Sequence, residues 1–198
     1  MKLSYKITLV VLLIGVVIFM SLQYGRSDKI KYKKYSSKDS ELNIAMDYIS
    51  DWVPSEHRGY NNNYAQVMFI QPKYGKGIFK AYIVVNVKRE SKIKLKAITT
   101  ETMMQDIISK RLKFKDAKII SESKIKILDT EALDTTLAYS SLDKLYSLDA
   151  KAIPFKERIV IIKIGDKLYT LRYMNRAEEF DKFDKAFQHC IKSIKFQK

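Results

Sequence analysis

The sequence predicts an α+β domain, a central antiparallel β-sheet with helices on both faces, preceded by one N-terminal transmembrane helix. Three observations carry this. Runs of period-two alternation recur between turn signals, as antiparallel strands require. Two separated stretches repeat apolar residues at spacings of three and four, which gives each a single buried helical face. Ile7 to Leu22 is almost wholly apolar, broken only by Thr8, Gly15 and Ser21.

The amino-terminal run stays uncharged to Gly25. At roughly 1.5 Å per residue it just crosses a hydrocarbon core of about 30 Å. Lys2 and Lys6 in front of it also give the layout of a secretory signal. The cleavage site is poor: there is no A-x-A, and Gly25-Arg26-Ser27 is the nearest small-x-small pattern. No Cys stands at the end of the run, which excludes lipoprotein processing. The reading is therefore an uncleaved anchor at 1–25, a basic polar linker at 26–40 and a folded domain at 41–198. Arg26, Lys29, Lys31, Lys33, Lys34 and Lys38 follow the span against Asp28, so the positive-inside rule alone would hold the domain in the cytoplasm. The signal-like layout argues the reverse. The expected location is a single-pass membrane protein with its domain on the exported, periplasmic or extracellular side, secreted if the segment is cleaved.

Within the domain, Leu42, Ile44, Met46 and Tyr48 alternate as a first strand, ended by Asp51-Trp52 and Pro54. Residues 55–63 read as a loop and Tyr64 to Ile70 as a second strand. Phe79, Ala81, Ile83, Val85 and Val87 share one face of a third. Thr99 or Thr100 caps a helix whose apolar stripe is Met104, Ile107, Ile108 and Leu112. Ala117 to Leu128 and Leu133 to Tyr139 make a fourth and fifth strand, with a turn near Asp129-Thr130. Ser140 to Ile153 reads as irregular. Four consecutive apolar residues, Ile159 to Ile162, suit a strand buried on both faces. Gly165-Asp166 follows, with glycine where a type II′ turn needs positive φ. On the return strand Tyr169, Leu171 and Tyr173 oppose Leu168, Thr170 and Arg172. Glu178 and Glu179 then open a helix whose stripe is Phe180, Phe183, Phe187, Cys190, Ile191 and Ile194.

Composition bounds the function. Hydrophobic residues make up 46% of the 198, so the chain can bury a core, which argues against global disorder. One Cys rules out an internal disulfide. The formal net charge of +15 favours an acidic partner, with biased composition as the plainer explanation. No G-x-S-x-G, P-loop, H-E-x-x-H or C-x-x-C occurs, and two His with one stripe-buried Cys leave little for a nucleophile–base pair. An enzyme is not expected, nor a cofactor. His57 with Glu56 and Asp51 is the one weak metal candidate, since zinc wants three or four nitrogen or sulfur ligands. Adjacent His189 and Cys190 diverge by about 100° on a helix and cannot share an ion.

The candidate partner-binding residues are Trp52, Arg58 and Tyr60 around the loop, and Lys31, Lys33 and Lys34 in the linker. For Trp52 the competing reading is a core anchor; for the lysines it is a solvated tether.

The opening strand ending in Trp52, the Lys-flanked hairpin, the mid-chain helix, the late hairpin GDKLYTLRY and the EEF-initiated helix closing in SIKF together resemble the PsbP-like family, which includes DcrB-type envelope proteins. The resemblance spans about Leu42 to Phe196. The family's Tyr-Pro-x-x-Trp opening stands here as Tyr48-Ile49-Ser50-Asp51-Trp52. The resemblance implies an antiparallel sheet with helices on both sides and a non-enzymatic accessory role. The expected function is a membrane-anchored accessory subunit, held at the bilayer by residues 7–22, that docks to an acidic surface of a larger membrane complex. The alternatives are an envelope stress or surface protein without a stable complex, or binding of anionic lipid through residues 26–38. Nucleic acid is the less favoured ligand of that segment.

Overall fold

In the computed structural model the described residues are 30–59, 64–72, 81–89, 98–142 and 150–197. In chain order they form β1 (Tyr32–Ser36), β2 (Ile44–Ile49), β3 (Val53–Arg58), β4 (Tyr64–Ile70), β5 (Tyr82–Arg89), α1 (Thr100–Arg111), β6 (Lys115–Ile127), β7 (Thr130–Leu142), β8 (Ala152–Ile164), β9 (Lys167–Arg176), α2 (Ala177–Ser193) and β10 (Lys195–Phe196). Seven strands make one sheet in the order β3-β4-β5-β9-β8-β7-β6, and β1-β2-β10 make a second. The pairings are antiparallel throughout.

The hairpin β8–β9 sits centrally because its strands are apolar on both faces. Ile159, Val160, Ile161 and Ile162 are all 0% exposed. Gly165 has φ +60, as a type II′ turn requires. Side chains of alternating position then go to opposite layers. Phe155, Ile159, Ile161, Leu168 and Met174 pack with Met104 and Ile108 of α1. On the other face Tyr173 stacks on Phe180 with ring centroids 4.8 Å apart and meets Phe187 at 5.7 Å, both from α2. Phe183 and Phe187 are buried.

Helix α1 begins where Thr99 accepts from the Thr102 backbone N–H, a reciprocal capping box. Helix α2 carries Glu178 and Glu179 in its first turn and Lys192 in its last, matching the helix dipole.

Several expectations are corrected. Residues 32–36, expected inside the linker, form β1 against β2. Their alternation with lysine hid two packing tyrosines: Tyr35 meets Phe69 edge-on at 5.2 Å, and Tyr32 stacks on His189 at 4.0 Å. Val53–Arg58, expected as loop from residue 55, is an edge strand, where Pro54 costs no ladder bond. The first expected strand, β2, belongs to the smaller sheet rather than the central one. The supposed irregular stretch from Ser140 is shortened, since β7 runs to Leu142 and β8 starts at Ala152.

The expected location is also corrected. Among the described residues no helix is long and apolar enough to cross a membrane. Helix α1 has 12 residues and α2 has 17, the latter with a charged outer face. A single-pass membrane protein is not supported. The segment expected to span, 7–22, lies outside the described residues.

The β6–β7 turn is Leu128-Asp129, with φ 48 and 64. Both angles suit a type I′ turn, which favours Asn-Gly. Leu128 is 57% exposed, so its side chain gains little from packing. Leu128→Gly is therefore expected to stabilise the fold by about 1 kcal/mol, the usual cost of a non-glycine residue there. Urea denaturation of the two proteins checks it.

Candidate functional site

The residues singled out in the sequence are scattered. Trp52 is buried, its ring 5.7 Å from that of Phe183. It is a packing residue, and its ring is not offered to a partner. Arg58 is exposed but committed to Asp39, with Nη2 donating to Oδ1 at 3.0 Å. Burial pushes the Asp39 carboxyl up, but Arg58 and the backbone amides of Glu41 and Leu42 outweigh it and hold it below its ordinary value. Lys31, Lys33 and Lys34 are exposed on and just before β1. Tyr60 lies outside the described residues. His57 pairs with Ser55 Oγ at 2.9 Å, while Glu56 accepts from the Tyr35 hydroxyl at 2.6 Å. Among the described residues no three His, Cys, Asp or Glu side chains are grouped to hold a metal. His189 meets Asp47 at 2.9 Å. Cys190 is buried, and burial pushes its thiol up to about 12, with Asp47 adding to it.

Two ion clusters sit back to back on β8. Glu157 faces α1 and is 0% exposed. Arg111 of α1 donates to it through Nε at 2.6 Å, and Arg172 of β9 through Nε at 2.7 Å. The Tyr139 hydroxyl donates to its Oε2 at 3.1 Å. Burial alone would push this carboxyl up, but Arg172 and Arg111 together hold it below its ordinary value. The Tyr139 phenol is pushed far up, first by burial and then by the Glu157 charge. The next residue, Arg158, faces α2. It donates to Asp134 through Nη2 at 2.6 Å and to Asp184 through Nη1 at 2.9 Å. One acid serves two bases under α1; one base serves two acids under α2. The surplus positive charge thus falls on the α1 side.

That side is open. A cleft of about 440 Å³ lies between α1 and strands β4, β5 and β9. Arg111 and Arg172 line it, beside Lys88 and Lys110. None of these was singled out from the sequence. Glu157 stands in a run of three charges, Lys156-Glu157-Arg158, which conceals its burial. The available signal was the alternation Phe155, Glu157, Ile159, Ile161, which places an acid in an apolar row.

On the far flank of α1 lies the edge strand β6. It is exposed at every position except Ala117, Ile125 and Ile127. Of the seven exposed large apolar side chains among the described residues, six are Leu112, Phe114, Ile119, Ile120, Leu128 and Leu142, all on or beside this hairpin. Lys115, Lys118, Lys124 and Lys126 lie among them, against Asp116 and Glu122. Ladder shifts at Lys115/Lys118 and Ile119/Ser121 each insert one extra residue into β6.

The profile of the PsbP-like protein family matches residues 7–196. No curated protein matches the chain. Among solved structures, cyanobacterial PsbP (CyanoP) of Synechocystis sp. PCC 6803 aligns with a TM-score of 0.55 at 12% identity, covering 87% of this chain and 96% of that one. LpqN, involved in cell envelope biogenesis of Mycobacterium tuberculosis, gives 0.53 at 13% identity over 88% and 95%. The Ran-binding protein Mog1p of Saccharomyces cerevisiae gives 0.52 at 8% identity over 85% and 96%. These likenesses show a shared fold. With the family profile covering nearly all of its length, the chain belongs to the PsbP-like protein family.

Proposed function

We propose that this chain is a non-catalytic accessory protein that binds an acidic protein partner, as part of a larger assembly, along the edge strand β6. The observation that carries this reading is the concentration of exposed apolar side chains and lysines on an edge strand that no other described strand covers. An edge strand offers unpaired backbone groups, and an extended segment of a partner can add to it, with main-chain bonds giving affinity and side chains giving choice. The lysines decide which strand is welcome. A second copy of β6 would bring four lysines towards four lysines, the usual guard against self-pairing. An acidic strand meets the same lysines with attraction. A non-catalytic role is supported by the chemistry of the polar groups: Glu157 is held as a counter-ion and the Cys190 thiol is buried. A member of this fold is a Ran-binding protein, so protein binding is a use to which the scaffold has been put. The exposed Lys31, Lys33 and Lys34 add to the general basic surface that draws such a partner in.

The test places a photo-crosslinking residue at Ile120, the extra residue of the second bulge, in the full chain in its native cells. The expected adduct maps to an extended acidic segment of another protein. It is expected to vanish when Lys118, Lys124 and Lys126 are changed together to Glu. Crosslinking to a second copy of this chain, or capture that survives the charge reversal, would overturn the reading.

A further inference from the structure

The cleft beside α1 has the features of a ligand site, and they are independent of the β6 edge. Its volume, about 440 Å³, is that of a small-molecule pocket. Its floor is mixed. Val84, Leu168 and Ile107 supply apolar surface, while Gln66 and Asn86, directly paired across β4 and β5, present amides.

Among the described residues the charges do not balance. Four cations line the cleft: Lys88, Lys110, Arg111 and Arg172. Lys110 is paired with Asp106 at 2.6 Å, both largely exposed. The two guanidinium groups share the single carboxylate of Glu157. Lys88 is half-buried and has no ion-pair partner among the described residues. Among the described residues two acids therefore answer four bases.

The arginines are also held in place. Each directs Nε and Nη2 at Glu157. That leaves Nη1 of each uncommitted among the described residues, on a group fixed by a buried anchor. Fixed guanidinium donors suit the planar or tetrahedral oxygens of carboxylates and phosphates. Gln66 and Asn86 likewise make no side-chain hydrogen bond among the described residues. We propose that this cleft binds a small organic anion, whose carboxylate or phosphate group sits among Lys88, Arg111 and Arg172 while its body lies over Val84 and Leu168. Glu157 is the positioning residue for the two arginines.

The test is calorimetric titration of the full chain with inorganic phosphate and, separately, with citrate, at constant ionic strength set by sodium chloride. Saturable one-site binding is expected for at least one of them, and which one saturates identifies the group. Lys88→Gln is expected to weaken it about tenfold, as loss of a charged hydrogen bond does. Lys195→Gln, on β10 and outside the cleft lining, is expected to leave it unchanged. Because Lys88 is half-buried on a strand and ion-paired to nothing described, its replacement leaves the Glu157 cluster whole. Asn86→Leu, which fills the polar wall with an apolar side chain, provides a second variant with the same expected loss. No saturation by either anion, or equal weakening by the Lys88 and Lys195 changes, would overturn the proposal. Neither outcome bears on the crosslink at β6.

Discussion

Glu157→Gln is expected to destabilise the folded chain by about 3–5 kcal/mol, the cost of removing one partner from a buried ion cluster. The glutamine keeps the shape and can still accept from one arginine. It leaves Arg111 and Arg172, which are about one-fifth exposed in their side chains, without a counter-charge. The effect carries a pH signature. The Glu157 carboxyl is held below its ordinary value in the folded chain, so its stabilising contribution is complete above the unfolded value of about 4.3 and fades as pH falls through the lower folded value. The gap between wild type and variant is thus widest near neutrality and narrows in acid. Urea midpoints at neutral pH and below about pH 4 measure it. A gap that did not narrow would mean the carboxylate charge is not what the variant loses.

The second large effect lies on the opposite layer. Phe187→Ala is expected to cost about 3–5 kcal/mol, which lowers the melting temperature by on the order of 10 °C for a domain of this size. Phe187 is 0% exposed. It lies under Tyr173 and beneath the Arg158 guanidinium, 6.0 Å from its ring centre. Truncation leaves a cavity between α2 and the sheet that neighbouring side chains, already close-packed, cannot fill. Phe114→Ala supplies the contrast. That ring is 42% exposed and is expected to lose far less. Thermal melts of the two variants would separate core packing from mere aromatic content.

What the sequence disclosed follows from how strongly each stretch obeyed one rule. The hairpin β8–β9 and helix α2 were legible because Gly165-Asp166 marks the turn and three phenylalanines mark the buried face. Helix α1 was legible from its cap and from Met104 and Ile108, although Leu112, placed on the stripe, is 46% exposed at the helix end. Strand β1 was hidden because lysines at 33 and 34 make a polar run, while its tyrosines find partners from distant parts of the chain. Strand β3 was hidden by Pro54 and by four polar residues in a row after it. The β6–β7 turn lacks glycine, so its place was missed by one residue. The candidate cleft was illegible for a different reason. Lys88, Arg111 and Arg172 are far apart in the chain, and only the strand order β5-β9-β8 brings them together. A charge at a helix end or on a strand looks solvated until its neighbours are known.

The adjacency of Glu157 and Arg158 has a consequence for assembly of the sheet. Sliding β8 by one position against β7 and β9 would turn every side chain of the strand over. The apolar quartet Ile159–Ile162 would tolerate this, since it is buried whichever way it points. The charged neighbours would not. A slide one way would carry Arg158 into the place of Glu157, between Arg111 and Arg172. A slide the other way would carry Glu157 into the place of Arg158, between Asp134 and Asp184. Either brings three like charges together. A strand too greasy to know its own alignment is told it by two consecutive ions of opposite sign.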